Sequence, residues 1–217
     1  MKSGDYRVEI ENCIRRVAHR FVRNGGEGAF DLYNESEVQA LLFTELRRLP
    51  LMKAQTNDKI CRHLVHMQWP CLESRKIDIV VWHPNEIDSY RNDWGCSLPQ
   101  TAPDRRLLAA IQLKHGHGEI TSVEKTMKDL EDLGSIDQSC KTPQTLLYFL
   151  EFADCYRGGG LGKERYSEVK KALKIWGDKD PKRRKILLLS KDKVGFTFPK
   201  GRWAINPLPA GVTESSV

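Results

Sequence analysis

Apolar residues return along this chain with two different periods, and the change of period divides it into elements. Val8, Ile14, Val17, Ala18, Phe21 and Val22 recur at three- and four-residue steps, which predicts a helix over 5–23 ended by Asn24-Gly25-Gly26. Asn34 is placed to cap a second helix that runs to about Leu49, where Pro50 stops it; Val38, Leu41, Leu42, Leu46 and Leu49 form one face. The period then shortens. Residues 62–69 and 76–83 alternate as strands do, and 107–115 (LLAAIQLKH) reads as a third strand. An amphipathic helix is predicted over 119–133, with Val123, Met127, Leu130 and Leu133 on one side. The nearly unbroken apolar run at 144–152 (QTLLYFLEF) predicts a strand covered on both faces. A helix over 165–176 and a short strand at 185–190 (KILLLS) follow, then a coil-prone tail rich in Pro and Gly. The order α-α-β-β-β-α-β-α-β predicts an α/β fold: a mixed sheet with helices packed on it. Within a single domain, residues 1–33 supply an N-terminal helix and loop, 34–152 the core, and 153–217 a C-terminal extension. The connection 84–106 is long for a hairpin, as functional loops often are.

Composition narrows the class. A chain of 217 residues suits one domain with extensions. With 40% hydrophobic and 29% charged residues it is too apolar to be disordered. Lys and Arg (35) exceed Asp and Glu (29), and a net charge of +6 favours polyanionic partners without bearing on fold. No apolar run approaches the ~18 residues of a membrane span, so no membrane partner is expected. The opening MKSGDYRVEIENC lacks the apolar stretch of a secretory signal. Six cysteines, at 13, 61, 71, 96, 140 and 155, make no tight framework. Reduced thiols and a cytoplasmic location are the expectation.

Polar residues inside the apolar elements carry the chemistry. Glu37 lies in the first turn of the second helix, and Asp78 is flanked by Ile77 and Ile79. Gln112 and Lys114 stand two apart on the third strand, so both side chains leave one face. A carboxylate or ammonium within an apolar strand is costly unless paired, metal-bound or at a solvated strand end. Two carboxylates offer hard oxygen ligands for Mg²⁺. A lysine beside them can hold or deprotonate a water and offset charge on a phosphoryl group.

At these positions the sequence resembles the PD-(D/E)XK nuclease superfamily, the restriction-endonuclease-like fold. The family core order, helix, three-stranded meander, helix, strand, matches residues 34–152. Its helix acid corresponds to Glu37 in NESEVQALLFTELRR, its strand acid to Asp78 in KIDIVVW, and its third-strand motif to Gln112-Leu113-Lys114. Gln112 stands where most members carry Asp or Glu; the Q-x-K form resembles Mrr-type endonucleases. The resemblance implies a Mg²⁺-dependent endonuclease acting on DNA, with RNA not excluded, Mn²⁺ a possible substitute and a homodimer possible through the first helix. It further implies a metal held by Glu37, Asp78, the Leu113 carbonyl and Gln112, with Lys114 assisting the nucleophile. The rival reading is a non-catalytic nucleic-acid-binding or regulatory module on a degenerate scaffold, which Gln112 keeps open. An unrelated α/β interaction protein would instead scatter Glu37, Asp78 and Lys114.

Glu35 and Glu37 both suit the positive end of a helix. Glu45 falls among Val38, Leu42 and Leu49, so it either pairs with a buried cation or is itself the helix ligand. His115 and His117 adjoin Lys114 and are secondary candidates for phosphate contact. The spacing of Cys61, His63, His66 and Cys71 is not a usual zinc pattern. The stretch 157–164 (RGGGLGKE) is one residue short of a P-loop and puts Glu164 where the Mg²⁺-binding hydroxyl belongs, so no nucleotide cofactor is expected. Its Lys163, with Lys182, Arg183 and Arg184 of the basic run 181–185, are candidate nucleic-acid contacts or simply solvated charges.

Overall fold

The computed structural model describes residues 3–23, 34–55, 57, 59, 61–70, 76–86, 107–116, 122–136, 145–153 and 161–190. Two helices open the chain, α1 (Ser3–Arg23) and α2 (Glu35–Arg48), followed by a 3-10 turn (Pro50–Met52). A small antiparallel pair follows, β1 (Lys53–Gln55) with β2 (Cys61–His63). The main elements are β3 (Val65–Pro70), β4 (Lys76–Trp82), β5 (Leu107–Gly116), α3 (Val123–Ser135), β6 (Leu146–Ala153), α4 (Leu161–Asp178) and β7 (Arg184–Ser190). The sheet order is β3-β4-β5-β6-β7; β3, β4 and β5 form an antiparallel meander, and β6 and β7 continue it in parallel. This is an α/β protein with a mixed five-stranded sheet flanked by helices.

Each long apolar period seen in the sequence becomes an element. The differences are local. Residues 62–69 divide at Leu64 into β2 and β3, because β2 turns away to pair with β1. The helix expected from 165 begins at Leu161, which puts Lys163 in its first turn; 157–160 and Lys163's side chain lie outside the described residues, as do 87–106 of the long connection. The C-terminal extension joins the main sheet, since β7 pairs with β6 along its length and α4 packs on α3 and β7.

Ile10, Ile14, Val17 and Phe21 of α1 are wholly buried, so its apolar stripe is covered within the chain except at Val8, which is exposed. Phe21 meets Phe152 and His115 edge-on, at 5.2 and 5.8 Å between centroids. Strand parity then sorts the sheet. Ile111, Leu113, His115, Tyr148, Leu150 and Phe152 share the face toward α1, while Asp78, Gln112 and Lys114 share the opposite one. Among the described residues no helix is long and apolar enough to cross a membrane.

Candidate active site

β4 and β5 pair so that Ile79 faces Ile111, which sets Asp78 directly across from Gln112 on one face, with Lys114 next along β5. The Leu113 N–H donates to Asp78 Oδ2 at 2.7 Å. On the other flank the Gln68 amide lies 3.4 Å from Asp78 Oδ1. Gln68 takes φ 54°, a left-handed conformation that costs a non-glycine residue about 1 kcal/mol, and the pairing of β3 with β4 skips it. Gln39 of α2 donates to the Asp78 backbone carbonyl at 2.8 Å. Helix α2, edge strand β3 and central strand β5 thus converge on one residue, the helix on its backbone carbonyl and the two strands on its carboxyl group.

That group is buried and meets acids as well as a cation. Burial pushes the Asp78 carboxyl up to about 7; the Leu113 N–H opposes the rise, Glu35 adds to it, Lys114 opposes it and Asp129 adds to it. Lys114 Nζ is 3.2 Å from Asp129 Oδ2 on α3 and 3.8 Å from Glu35 Oε2 at the start of α2. Burial alone lowers the lysine's pKa, but Asp129 and Glu35 outweigh it and the net shift is upward, so Lys114 is an ammonium at neutral pH. Burial likewise lifts Asp129 to about 6 against the pull of Lys114. Gln112 is 4% exposed, and its Oε1 has no hydrogen-bond partner among the described residues. It is a buried acceptor left open on the same face as Asp78.

The remaining sequence candidates go elsewhere. Glu37 is exposed and forms a capping box, its carboxylate accepting the Asn34 N–H at 3.2 Å while the Glu37 N–H donates to Asn34 Oδ1 at 3.0 Å. Glu35, weighed lightly in the sequence, is the α2 acid that reaches Lys114. Glu45 is buried and paired with Arg16 (3.0 Å), Arg20 (3.3 Å) and Arg48 (3.4 Å). His115 points to the α1 face, and His117 lies outside the described residues. Lys182 is exposed, Arg183 Nε is held by Asp180 Oδ2 at 2.6 Å, and Arg184 lies over the Trp176 ring at 5.0 Å and donates to its carbonyl. Cys61 is exposed and Cys71 lies outside the described residues.

Gln39, Gln68 and Asp129 escaped the sequence reading. Asp129 had left a signal, an acid on the apolar side of α3 between Thr126, Leu130 and Leu133, all of them buried. Gln68 left none, since a left-handed residue inside an alternating strand has no mark in the pattern. Comparison of the chain with protein-family models, with curated proteins and with solved structures finds no match.

Proposed function

We propose that this protein is a metal-dependent phosphodiester hydrolase of the PD-(D/E)XK kind, acting on DNA. The observation that carries the reading is Asp78 across from Gln112 on adjoining strands, with Lys114 next on the same face and a helix acid in reach of it. The order α2, β3, β4, β5, α3, β6 is the order that family's core requires. A divalent cation fits the donor set: Asp78 is a hard oxygen ligand whose second oxygen is only weakly engaged, and Gln112 Oε1 is an unpartnered neutral one. Glu35, rather than the capping Glu37, is the helix acid whose charge bears on Asp78. The Leu113 carbonyl completes the proposed donors.

When bound, such an ion polarises a phosphoryl oxygen and lowers the pKa of a water. Asp78, with a pKa near 7, is fully ionised at neutral pH only when a cation offsets its acidic neighbours. Lys114 stays protonated, so it orients the attacking water and neutralises charge on the phosphoryl group rather than removing a proton. Asp129 and Glu35 hold that ammonium in place. The test is incubation of supercoiled plasmid and linear DNA with and without Mn²⁺, for wild type and Asp78→Asn. Metal-dependent nicking by wild type alone is expected; equal cleavage by both proteins removes the assignment.

A second reading, a non-catalytic nucleic-acid-binding module on this scaffold, draws on two observations. Among the described residues no three His, Cys, Asp or Glu side chains are grouped to hold a metal, and Lys114 is already engaged by two carboxylates. Calorimetric titration with Mn²⁺ separates the readings, because the module predicts no binding that depends on Asp78.

A further inference from the structure

Past Asp78 on the same sheet lies a concavity that the proposed hydrolytic chemistry does not use. It has a volume of about 250 Å³ and is lined by Phe43 and Arg47 of α2, Arg62 and His63 of β2, Val65, His66 and Met67 of β3, and Trp82 of β4. That is somewhat below the ~300–1,000 Å³ typical of drug-sized ligands, so it suits one small group. Among the described residues no carboxylate lines it. The His66 and Trp82 rings stack at 3.8 Å, 21° from parallel, and the Arg47 guanidinium lies over the Phe43 ring at 5.2 Å. His66 Nε2 donates to the His63 carbonyl at 3.1 Å, which fixes the ring against Trp82. His63 Nδ1 is buried on this wall without a hydrogen-bond partner among the described residues. Arginine planes beside stacked rings make a surface for a flat, anionic ligand. Its position matters too: His66 pairs with Val80, two residues past Asp78, so the pocket begins ~7 Å along the strand from that carboxylate.

We propose that this pocket binds a single nucleotide, its base against the His66–Trp82 stack and its phosphate against Arg47 and Arg62. That the nucleotide belongs to a strand threading the neighbouring site rests on the hydrolase reading above; the pocket's own chemistry does not.

The experiment is calorimetry of the full chain in EDTA, so that nothing is cleaved, with dAMP, deoxyadenosine, inorganic phosphate, and an eight-nucleotide single strand with and without a 5′-phosphate. The expected result is dAMP binding at least 10-fold tighter than either of its halves. Arg47→Gln with Arg62→Gln should weaken it ~100-fold, about tenfold per lost charge-assisted bond. Preference for the phosphorylated strand identifies a strand end as the source, and equal binding of both strands identifies an internal nucleotide. Phosphate binding as tightly as dAMP, or variants binding like wild type, overturns the proposal. Arg47 packs on Phe43, so Arg62→Gln alone, expected to cost about tenfold, decides the matter if the double variant melts early. dAMP binding in EDTA by a protein that cleaves no DNA in the Mn²⁺ plasmid assay removes the hydrolase and leaves this site, whereas Mn²⁺-dependent cleavage by a protein that ignores dAMP does the reverse.

Discussion

Asp78 and Glu45 are equally hidden, each 6% exposed, yet the protein treats them in opposite ways. Glu45, at the junction of α1 and α2, is surrounded by Arg16, Arg20 and Arg48, and its oxygens are satisfied by guanidiniums. Asp78 receives one strong backbone hydrogen bond and one long amide contact, and it shares its lysine with Glu35 and Asp129. A buried carboxylate with three cationic partners ties helices together. One left short of positive charge among acids stores unfavourable energy until something cationic arrives. The difference separates a structural acid from a candidate functional one where burial alone does not.

The largest effect expected from this contrast is at Asp78. Asp78→Asn should abolish metal-dependent cleavage and yet raise stability, because the amide keeps an acceptor for the Leu113 N–H and carries no charge. The carboxyl's folded pKa is raised, from 3.8 to about 7. Below the lower value both folded and unfolded states are protonated and the group contributes nothing. Between the two, only the unfolded chain ionises, and above 7 the folded state carries the full penalty. The variant's advantage should therefore be absent near pH 3 and grow to the order of 4 kcal/mol by pH 9, in urea unfolding with EDTA. Added Mn²⁺ should close the gap by stabilising wild type alone. An advantage that is the same at both pH values would erase the contrast with Glu45.

Lys114→Met comes next, with cleavage expected to fall at least ~100-fold. Stability should change less, since Asp129 and Glu35 then lose a partner while a buried charge is also removed. Near wild-type rates in single-turnover cleavage would show that the ammonium serves only to pair acids.

Glu45→Gln tests the other side. It should cost about 2 kcal/mol in urea unfolding, because three guanidiniums lose their counter-charge although Arg20 and Arg48 remain partly solvated. Mn²⁺-dependent activity of the folded variant should be unchanged; a selective loss of metal binding would return Glu45 to the site.

The smallest effect separates the two acids of α2. Glu37→Ala removes half of a capping box and should lower stability by about 0.5 kcal/mol with cleavage intact. Glu35→Gln should leave stability nearly unchanged and slow cleavage about tenfold, an amount within the range of removing one electrostatic partner. The opposite pattern in initial-rate measurements would make Glu37 the helix ligand.

The sequence by itself determined the long helices and the strands of the main sheet, though not the short β1–β2 pair, because burial of one face imposes a period of 3.6 or 2 on apolar residues wherever the fold goes. It also determined that Asp78, Gln112 and Lys114 sit within such segments, since an acid or lysine inside an apolar run is visible without coordinates. The tertiary structure decided the rest. Whether Glu35, Glu37 or Glu45 approaches the lysine depends on how α2 is turned against α1 and the sheet, and all three are compatible with the same helical pattern. The register of β4 on β5 put Asp78 across from Gln112, and a one-residue slip would have sent one of them to the far face. Asp129 and Gln68 entered through contacts between segments distant in sequence or through a left-handed residue. Periodicity is a local property of the chain, whereas the charge balance around a buried carboxylate is a sum over every element packed against it.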